Sequence, residues 1–363
     1  MREKINLTSK HVIGFVLFVI LIGFSNCSYN NAKSSEGLSV DSSQKQRGAH
    51  VFRFRDSLRT NYYQTNNIEW ITLVPWGYQD NFESSEVRHV RGDNTDLEAY
   101  NKRYVTRIQK LRADGFKVFV KPHIWLRNTP DGTWRSDVYP KSNEEWETWK
   151  EDYREFILRY AKVAEEAEAE MFCVGTELTR LSIEKAAFWK EIIKEIKEVY
   201  SGKLTYAANW YKEYDHIDFW DELDYIGVQA YFPLTNNEHP SVEELEKGWD
   251  KHLVALESVS QKFSKPILFT EIGYKSHSES GIKPWEWMNY RNIDETKFSE
   301  RTQANCYKAF FNKVWVQDWF SGAHLWQFRE NHRFKEVDLD FTPQGKEAEV
   351  VIKDGFSYSI NKS

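Results

Sequence analysis

The sequence predicts a (β/α)8 barrel, and three observations carry that expectation. Short apolar runs rich in β-branched and aromatic residues alternate with longer stretches of helical periodicity from about residue 50 to residue 328. The runs number eight, in strict alternation, with no long Pro/Gly-rich break or internal linker between them. The residues directly after the runs are polar and aromatic, as the C-terminal rim of a barrel requires, where ordinary loop tips carry Gly, Ser, Lys and Asp. An open doubly wound sheet of similar size is the structural alternative.

Strands are expected at His50–Phe54, Trp70–Val74, Lys117–Lys121, Met171–Val174, Leu204–Ala208, Tyr225–Gln229, Ile267–Thr270 and Ala323–Trp326. Helices are expected at Thr95–Asp114, Glu144–Ala169, Ile183–Tyr200, Val242–Phe263 and Glu300–Trp319. Ser142 followed by Glu144 and Glu145, and Ser241 followed by Glu243 and Glu244, offer an N-cap and an acidic first turn. Pro266 stands at the start of the seventh strand, where it removes no ladder hydrogen bond. Beyond about Arg333 the chain is charged and shows no clear further element, so the barrel is bounded at 47–335, with a C-terminal extension over 336–363.

The N-terminus has the pattern of an export signal. Arg2, Lys4 and Lys10 precede an apolar stretch from Val12 to Phe24, followed by small or polar residues and Cys27. The stretch is shorter than the about 20 apolar residues that a membrane span needs. A cysteine directly after such a segment resembles the acylated residue of a bacterial lipoprotein, although Asn26 stands where a small residue is usual. Residues 1–26 are therefore read as a lipoprotein-type signal peptide, Cys27 as the lipidated residue, and 27–46 as a flexible tether rich in Ser, Asn and Gln. Plain secretion or an uncleaved anchor is the alternative. The expected location is the periplasm or the cell surface, on a membrane anchor.

Net charge is −6 and the basic residues are scattered among acids, so no stripe points to nucleic acid. Cys173 and Cys306 lie in apolar and helical contexts and read as buried small hydrophobes rather than a disulfide framework. No CxxC, HExxH or phosphate-binding glycine loop occurs, so no metal, nucleotide or other cofactor is expected. The outlying quantity is aromatic content, with 15 Trp, 19 Tyr and 23 Phe. Most of these belong to the core, but flat indoles also suit the C–H faces of sugar rings.

The rim residues narrow the chemistry. Pro75-Trp76-Gly77-Tyr78-Gln79-Asp80 follows the second strand, Pro122-His123-Ile124-Trp125 the third and Gly175-Thr176-Glu177-Leu178 the fourth. Asn209-Trp210-Tyr211 follows the fifth, Ala230-Tyr231-Phe232-Pro233 the sixth, Glu271-Ile272-Gly273-Tyr274 the seventh and Gln327-Phe328 the eighth. Trp76, His123, Trp125, Asn209, Trp210 and Tyr274 are candidates for touching substrate, with structural roles equally open for His123 and Asn209. Glu177 and Glu271 each interrupt an apolar run, and the fourth and seventh strands face each other across a barrel mouth. Retaining glycosidases need such a pair about 5 to 5.5 Å apart, one carboxylate ionised to attack and one protonated to release the leaving sugar.

Glutamates after the fourth and seventh strands resemble the retaining clan A glycoside hydrolases. Lys121-Pro122-His123, Thr133-Trp134-Arg135, Phe172-Cys173-Val174-Gly175-Thr176-Glu177-Leu178 and Phe269-Thr270-Glu271-Ile272-Gly273-Tyr274 are similar to the motifs of glycoside hydrolase family 113, a β-mannanase family, and the resemblance spans essentially the whole barrel. It implies Glu177 as general acid and base, Glu271 as nucleophile, Tyr231 as the hydroxyl orienting the nucleophile and Trp326 as the stacking floor under the sugar being attacked. One departure stands out: most clan A enzymes carry Asn before the acid, and this chain carries Thr176. The implied activity is endo-β-1,4-mannanase on mannan, glucomannan or manno-oligosaccharides; separately, a monomer is expected. The rivals are another β-glycosidase specificity, for glucan or as an exo-mannosidase, and a surface glycan-binding lipoprotein without catalysis.

Overall fold

A computed structural model describes residues 38–52, 58–89, 96–130, 132–287, 293–330, 332–333, 335 and 337–360. The signal segment 1–26, Cys27 and the tether up to residue 37 lie outside the described residues. The strands are β1 (Gln46–Phe52), β2 (Trp70–Leu73), β3 (Trp76–Gln79), β4 (Lys117–Val120), β5 (His123–Leu126), β6 (Met171–Thr176), β7 (Lys203–Asn209), β8 (Tyr225–Gln229), β9 (Ile267–Ile272) and β10 (Phe320–Arg329). Eight of them close a barrel in the order β1-β2-β4-β6-β7-β8-β9-β10, with every pairing parallel. The closed barrel, and not the open sheet, is the fold.

Alternation along the strands sorts the side chains into two layers. Trp70, Phe119, Met171, Cys173, Ala207 and Leu268 form one buried cluster inside the barrel. Their neighbours, such as Ile71, Val118, Phe172 and Phe269, join the larger core between barrel and helices. His324 crosses the interior, bonding Thr72 Oγ1 at 2.7 Å and Gln46 Oε1 at 2.9 Å. Glycine is required opposite it, since a Cβ on Gly48 would lie 2.2 Å from the His324 ring.

The outer layer holds α1 (Thr60–Thr65), α2 (Leu97–Ala113), α3 (Asn143–Glu166), α4 (Thr179–Glu184), α5 (Ala186–Val199), α6 (Val242–Phe263), α7 (Glu300–Lys313) and α8 (Glu347–Ile360). Ser142 caps α3 in a capping box with Glu145, and Ser241 caps α6 by accepting from Glu244 N at 3.2 Å. Both caps fall where the sequence places them. Trp149, Trp189, Trp220, Trp249 and Trp315 are among the largest fully buried side chains, and Trp70, Trp319 and Trp326 are buried as well, so burial takes up eight of the 15.

Three segments depart from the sequence reading. The residues after Arg333 do form an element: α8 places Ala348, Ile352 and Phe356, four residues apart, on one buried stripe, and Phe356 packs on Phe311 and Trp315 at 5.5 and 5.3 Å. The tether ends earlier than residue 46, because Val40 N bonds Asp318 O at 2.7 Å and Lys45 Nζ donates to Trp315 O and Gln317 O at 2.5 and 2.8 Å. The chain after β2 and β4 does not turn directly into loop. Past Pro75 and Pro122 it resumes as β3 and β5, a separate two-stranded parallel sheet at the rim.

Candidate active site

Glu177 directly follows β6 and Glu271 lies in β9, the fourth and seventh strands of the barrel, and both side chains are nearly sealed from water. Glu177 adopts a left-handed backbone, φ 54°, and its N–H donates to Ala207 O at 2.9 Å. Non-glycine residues in this region cost on the order of 1–3 kcal/mol and persist where the surrounding structure holds them. Here the next peptide is held too, since Leu178 N donates to the Tyr206 hydroxyl at 2.9 Å and that hydroxyl donates to Glu213 Oε1 at 2.7 Å.

The two carboxylates have different partners. Glu177 Oε2 accepts from Trp134 Nε1 at 3.1 Å and lies 3.4 Å from Arg135 Nε. Burial nonetheless pushes its pKa up, with the Glu271 charge adding to the rise and Arg135 opposing it. Glu271 Oε1 accepts from Lys121 Nζ at 2.5 Å, and Glu271 Oε2 accepts from the Tyr231 hydroxyl at 2.7 Å. Burial and the adjacent carboxylate hold the Tyr231 phenol well above its usual pKa, so it remains a donor. Lys121 is itself buried and also bonds Gln229 Oε1 at 2.9 Å. His50 and His123 flank Glu271 Oε1 at 3.9 and 3.7 Å, and burial, followed by the Lys121 charge, drives both imidazoles well below their normal pKa. Arg135 Nη1 also reaches His123 Nδ1 at 2.8 Å, so one arginine bridges the surroundings of the two acids.

Aromatic rings surround this pair. Trp326, in β10, packs edge-on against His50 and Phe52 at 5.0 and 5.1 Å, and shares a small cluster with Tyr231 and Phe341. Trp76 meets His123 at 5.1 Å and Trp125 at 5.6 Å. On the opposite bank Trp210 stacks on Trp285 at 5.2 Å and packs against the Tyr231–Trp326 cluster. Glu177, Glu271, Tyr231, Trp326, Trp76, His123, Trp125 and Trp210 are therefore grouped around one mouth.

Two rim candidates have other partners. Tyr274 is fully buried, with its ring against Tyr307 of α7 at 5.2 Å, because alternation past β9 turns it outward into the helix layer. Asn209 is taken up by the loop network, its side-chain amide donating to Thr179 Oγ1 at 2.9 Å and its backbone N–H donating to Glu213 Oε2 at 2.7 Å. Thr176 is likewise occupied: its hydroxyl donates to Pro122 O at 3.1 Å, which ties the end of β6 to the segment that joins β4 to β5.

Sequence reading assigns no role to Lys121, Trp134, Arg135, His50, Trp285, which stacks on Trp210, or Trp287, which meets Trp326 edge-on at 6.0 Å. The signals for Lys121, Trp134 and Arg135 are the motifs Lys121-Pro122-His123 and Thr133-Trp134-Arg135, which carry the family resemblance without giving these residues individual roles. Trp134 and Arg135 are carried by a loop ending in a 3-10 turn at Arg135–Asp137, pinned by Asp137 accepting from Trp134 N at 2.8 Å.

A parallel eightfold barrel whose fourth and seventh strands bring two buried glutamates to an aromatic-walled mouth defines a barrel glycoside hydrolase. The sequence profile of glycoside hydrolase family 113 matches residues 46–346, and the chain belongs to that family. A GH113 β-1,4-mannanase solved as a complex is 25% identical at a TM-score of 0.72, covering 86% of this chain and 99% of its own. The GH113 β-mannanase AaManA from Alicyclobacillus acidocaldarius, in complex with ManMIm, is 27% identical at a TM-score of 0.70, covering 87% and 98%. Another GH113 β-1,4-mannanase structure is 26% identical at 0.71, covering 86% and 99%. Comparison with curated protein sequences gives no match.

Proposed function

We propose that this chain is a retaining endo-β-1,4-mannanase in which Glu177 is the acid and base and Glu271 the nucleophile. The observation that carries the assignment is the asymmetry of the two carboxylates: Glu177 is pushed up by burial, while Glu271 receives a lysine and a tyrosine donor on its two oxygens. In the first step Glu271 attacks the anomeric carbon as the bond to the leaving sugar breaks, and Glu177 delivers its proton to the departing oxygen. In the second, Glu177 takes a proton from water, the water oxygen bonds the anomeric carbon and Glu271 is released. Lys121 and Tyr231 hold the attacking carboxylate in place, and Trp326 floors the reacting sugar.

The mannan specificity rests on family membership and on the GH113 mannanases that the chain resembles. Wild type and Glu177→Gln assayed on a panel of mannans, glucans and xylans test it, with sizes of products from mannohexaose separating endo from exo action. Release from β-mannan by wild type, lost in the variant, is expected; mannan binding without cleavage would return the chain to the glycan-binding class. We further propose attachment to a bacterial membrane through Cys27, on the basic, apolar and cysteine order of the leader. Incorporation of labelled palmitate, lost in Cys27→Ser, tests the anchor.

A further inference from the structure

The rim sheet is a feature that neither the carboxylate pair nor its immediate partners account for. β3 and β5 run parallel in a register that sets Trp76 opposite His123 and Tyr78 opposite Trp125. Alternation puts these four side chains on one face and turns Gly77, Gln79, Ile124 and Leu126 to the other, where they are buried. The inward face is firmly seated. Gln79 accepts from Trp149 Nε1 of α3 at 3.0 Å, and a Cβ on Gly77 would lie 2.9 Å from Ile124 and 3.0 Å from Phe156.

The outward face leads away from the carboxylates. At its inner end His123 stands 3.7 Å from Glu271; next along are Trp76, 5.1 Å from His123, and Trp125, 5.6 Å from Trp76. At the outer end Trp76, Tyr78, Trp125 and Arg127 line an open cavity of about 510 Å³. Trp125 leaves 46% of its surface in water, an unusual exposure for an indole on a regular strand whose neighbours are packed. Asp80 lies 3.9 Å from Arg127 Nη1 and is 56% exposed, so a carboxylate and a guanidinium stand at the edge of the aromatic surface. Indole faces beside paired donors and acceptors suit a pyranose, with its apolar C–H face and its ring of hydroxyls.

We propose that the outer face of β3–β5 is a remote subsite for a further pyranose unit of the same β-linked chain that Glu177 and Glu271 cleave, with Trp125 as its stacking platform. The proposal rests on the reading of the mouth as a polysaccharide-cleaving site, and the row His123, Trp76, Trp125 is the continuity between the two. The remote unit contributes binding that only longer substrates can use.

Steady-state kcat/KM on β-1,4-manno-oligosaccharides from the dimer to the hexamer, for wild type, Trp125→Ala and Trp125→Phe, tests the subsite. Wild type is expected to gain in a step once the substrate is long enough to reach Trp125. Trp125→Ala is expected to reduce the hexamer-to-dimer ratio of kcat/KM about tenfold, and Trp125→Phe to retain most of it. An equal loss at every length, or an unchanged ratio in Trp125→Ala, would overturn the subsite. If wild type cleaves a different β-glycan and leaves mannan intact, the mannanase reading fails, and the ratio measured on that glycan's own length series decides the subsite separately.

Discussion

Lys121 is sealed from solvent with its ammonium 2.5 Å from the Glu271 carboxylate. An ion pair buried this completely has given up the hydration of both partners, and it is held by supporting contacts from Gln229 Oε1 at 2.9 Å and the Thr270 carbonyl at 3.3 Å. Removing one member leaves the other uncompensated. Lys121→Met is therefore expected to destabilise the fold by about 3–5 kcal/mol, read as a fall in Tm, and to depress kcat as well. Wild-type Tm and kcat in the variant would show that Glu271 does not depend on the lysine.

Glu177→Gln keeps the shape of the acid and removes its proton. Turnover on mannan is expected to fall on the order of 10²–10⁴-fold. Aryl β-mannosides whose leaving groups need no protonation should lose far less in the first step. Azide, a nucleophile that needs no base, should then restore turnover and yield the β-mannosyl azide; the α product would contradict the retaining assignment.

The alkaline limb of the pH profile belongs to Glu177. Its carboxyl is raised by burial and by the Glu271 charge, and the work of the first step requires the protonated form, so kcat/KM falls as pH rises through that raised value. Arg135 opposes the rise. Arg135→Met should shift the alkaline limb upward, by about one unit, and a limb that moves down or stays fixed would separate Arg135 from the titration of Glu177.

Glu213 is fully buried and accepts from Ser182 Oγ, Tyr206 Oη, Thr179 Oγ1 and the Asn209 backbone N–H at 2.7 to 2.9 Å. Glutamine cannot accept from all four, so Glu213→Gln is expected to cost about 1–3 kcal/mol by chemical denaturation. Because Tyr206 also holds Leu178, the residue after the acid, a drop in kcat without a matching rise in KM is expected with it.

All eight barrel strands were legible because each is an apolar run bounded by a rim residue of different character, as Val174 is by Thr176 and Glu177. The pairing of Glu177 with Glu271 was legible for the same reason, through strand count. Pro75 and Pro122 read as strand ends, which concealed the rim sheet beyond them. Residues 347–360 read as part of a charged tail because charges run from Arg333 through Lys346 to Asp354, which masked the four-residue spacing of Ala348, Ile352 and Phe356 that forms the buried stripe. Tyr231 was legible as a partner of Glu271 through the family resemblance, but the roles of the charged partners were not: Arg135 lies 42 positions before Glu177 and Lys121 150 before Glu271, and only closure of the barrel brings them together. Tyr274 shows the converse error, since a tyrosine three residues after a rim glutamate sits on the opposite face.

The bonds from Val40 to Asp318 and from Lys45 to the Trp315 and Gln317 carbonyls fasten the incoming chain at the end of the barrel where the strands begin. The glutamates stand where the strands end, about 20 Å away along a strand. The entry point thus works as a mounting bracket at the back of the molecule. Residues 40–45 stay clear of the aromatic front, which is left open for a polymer to pass across it.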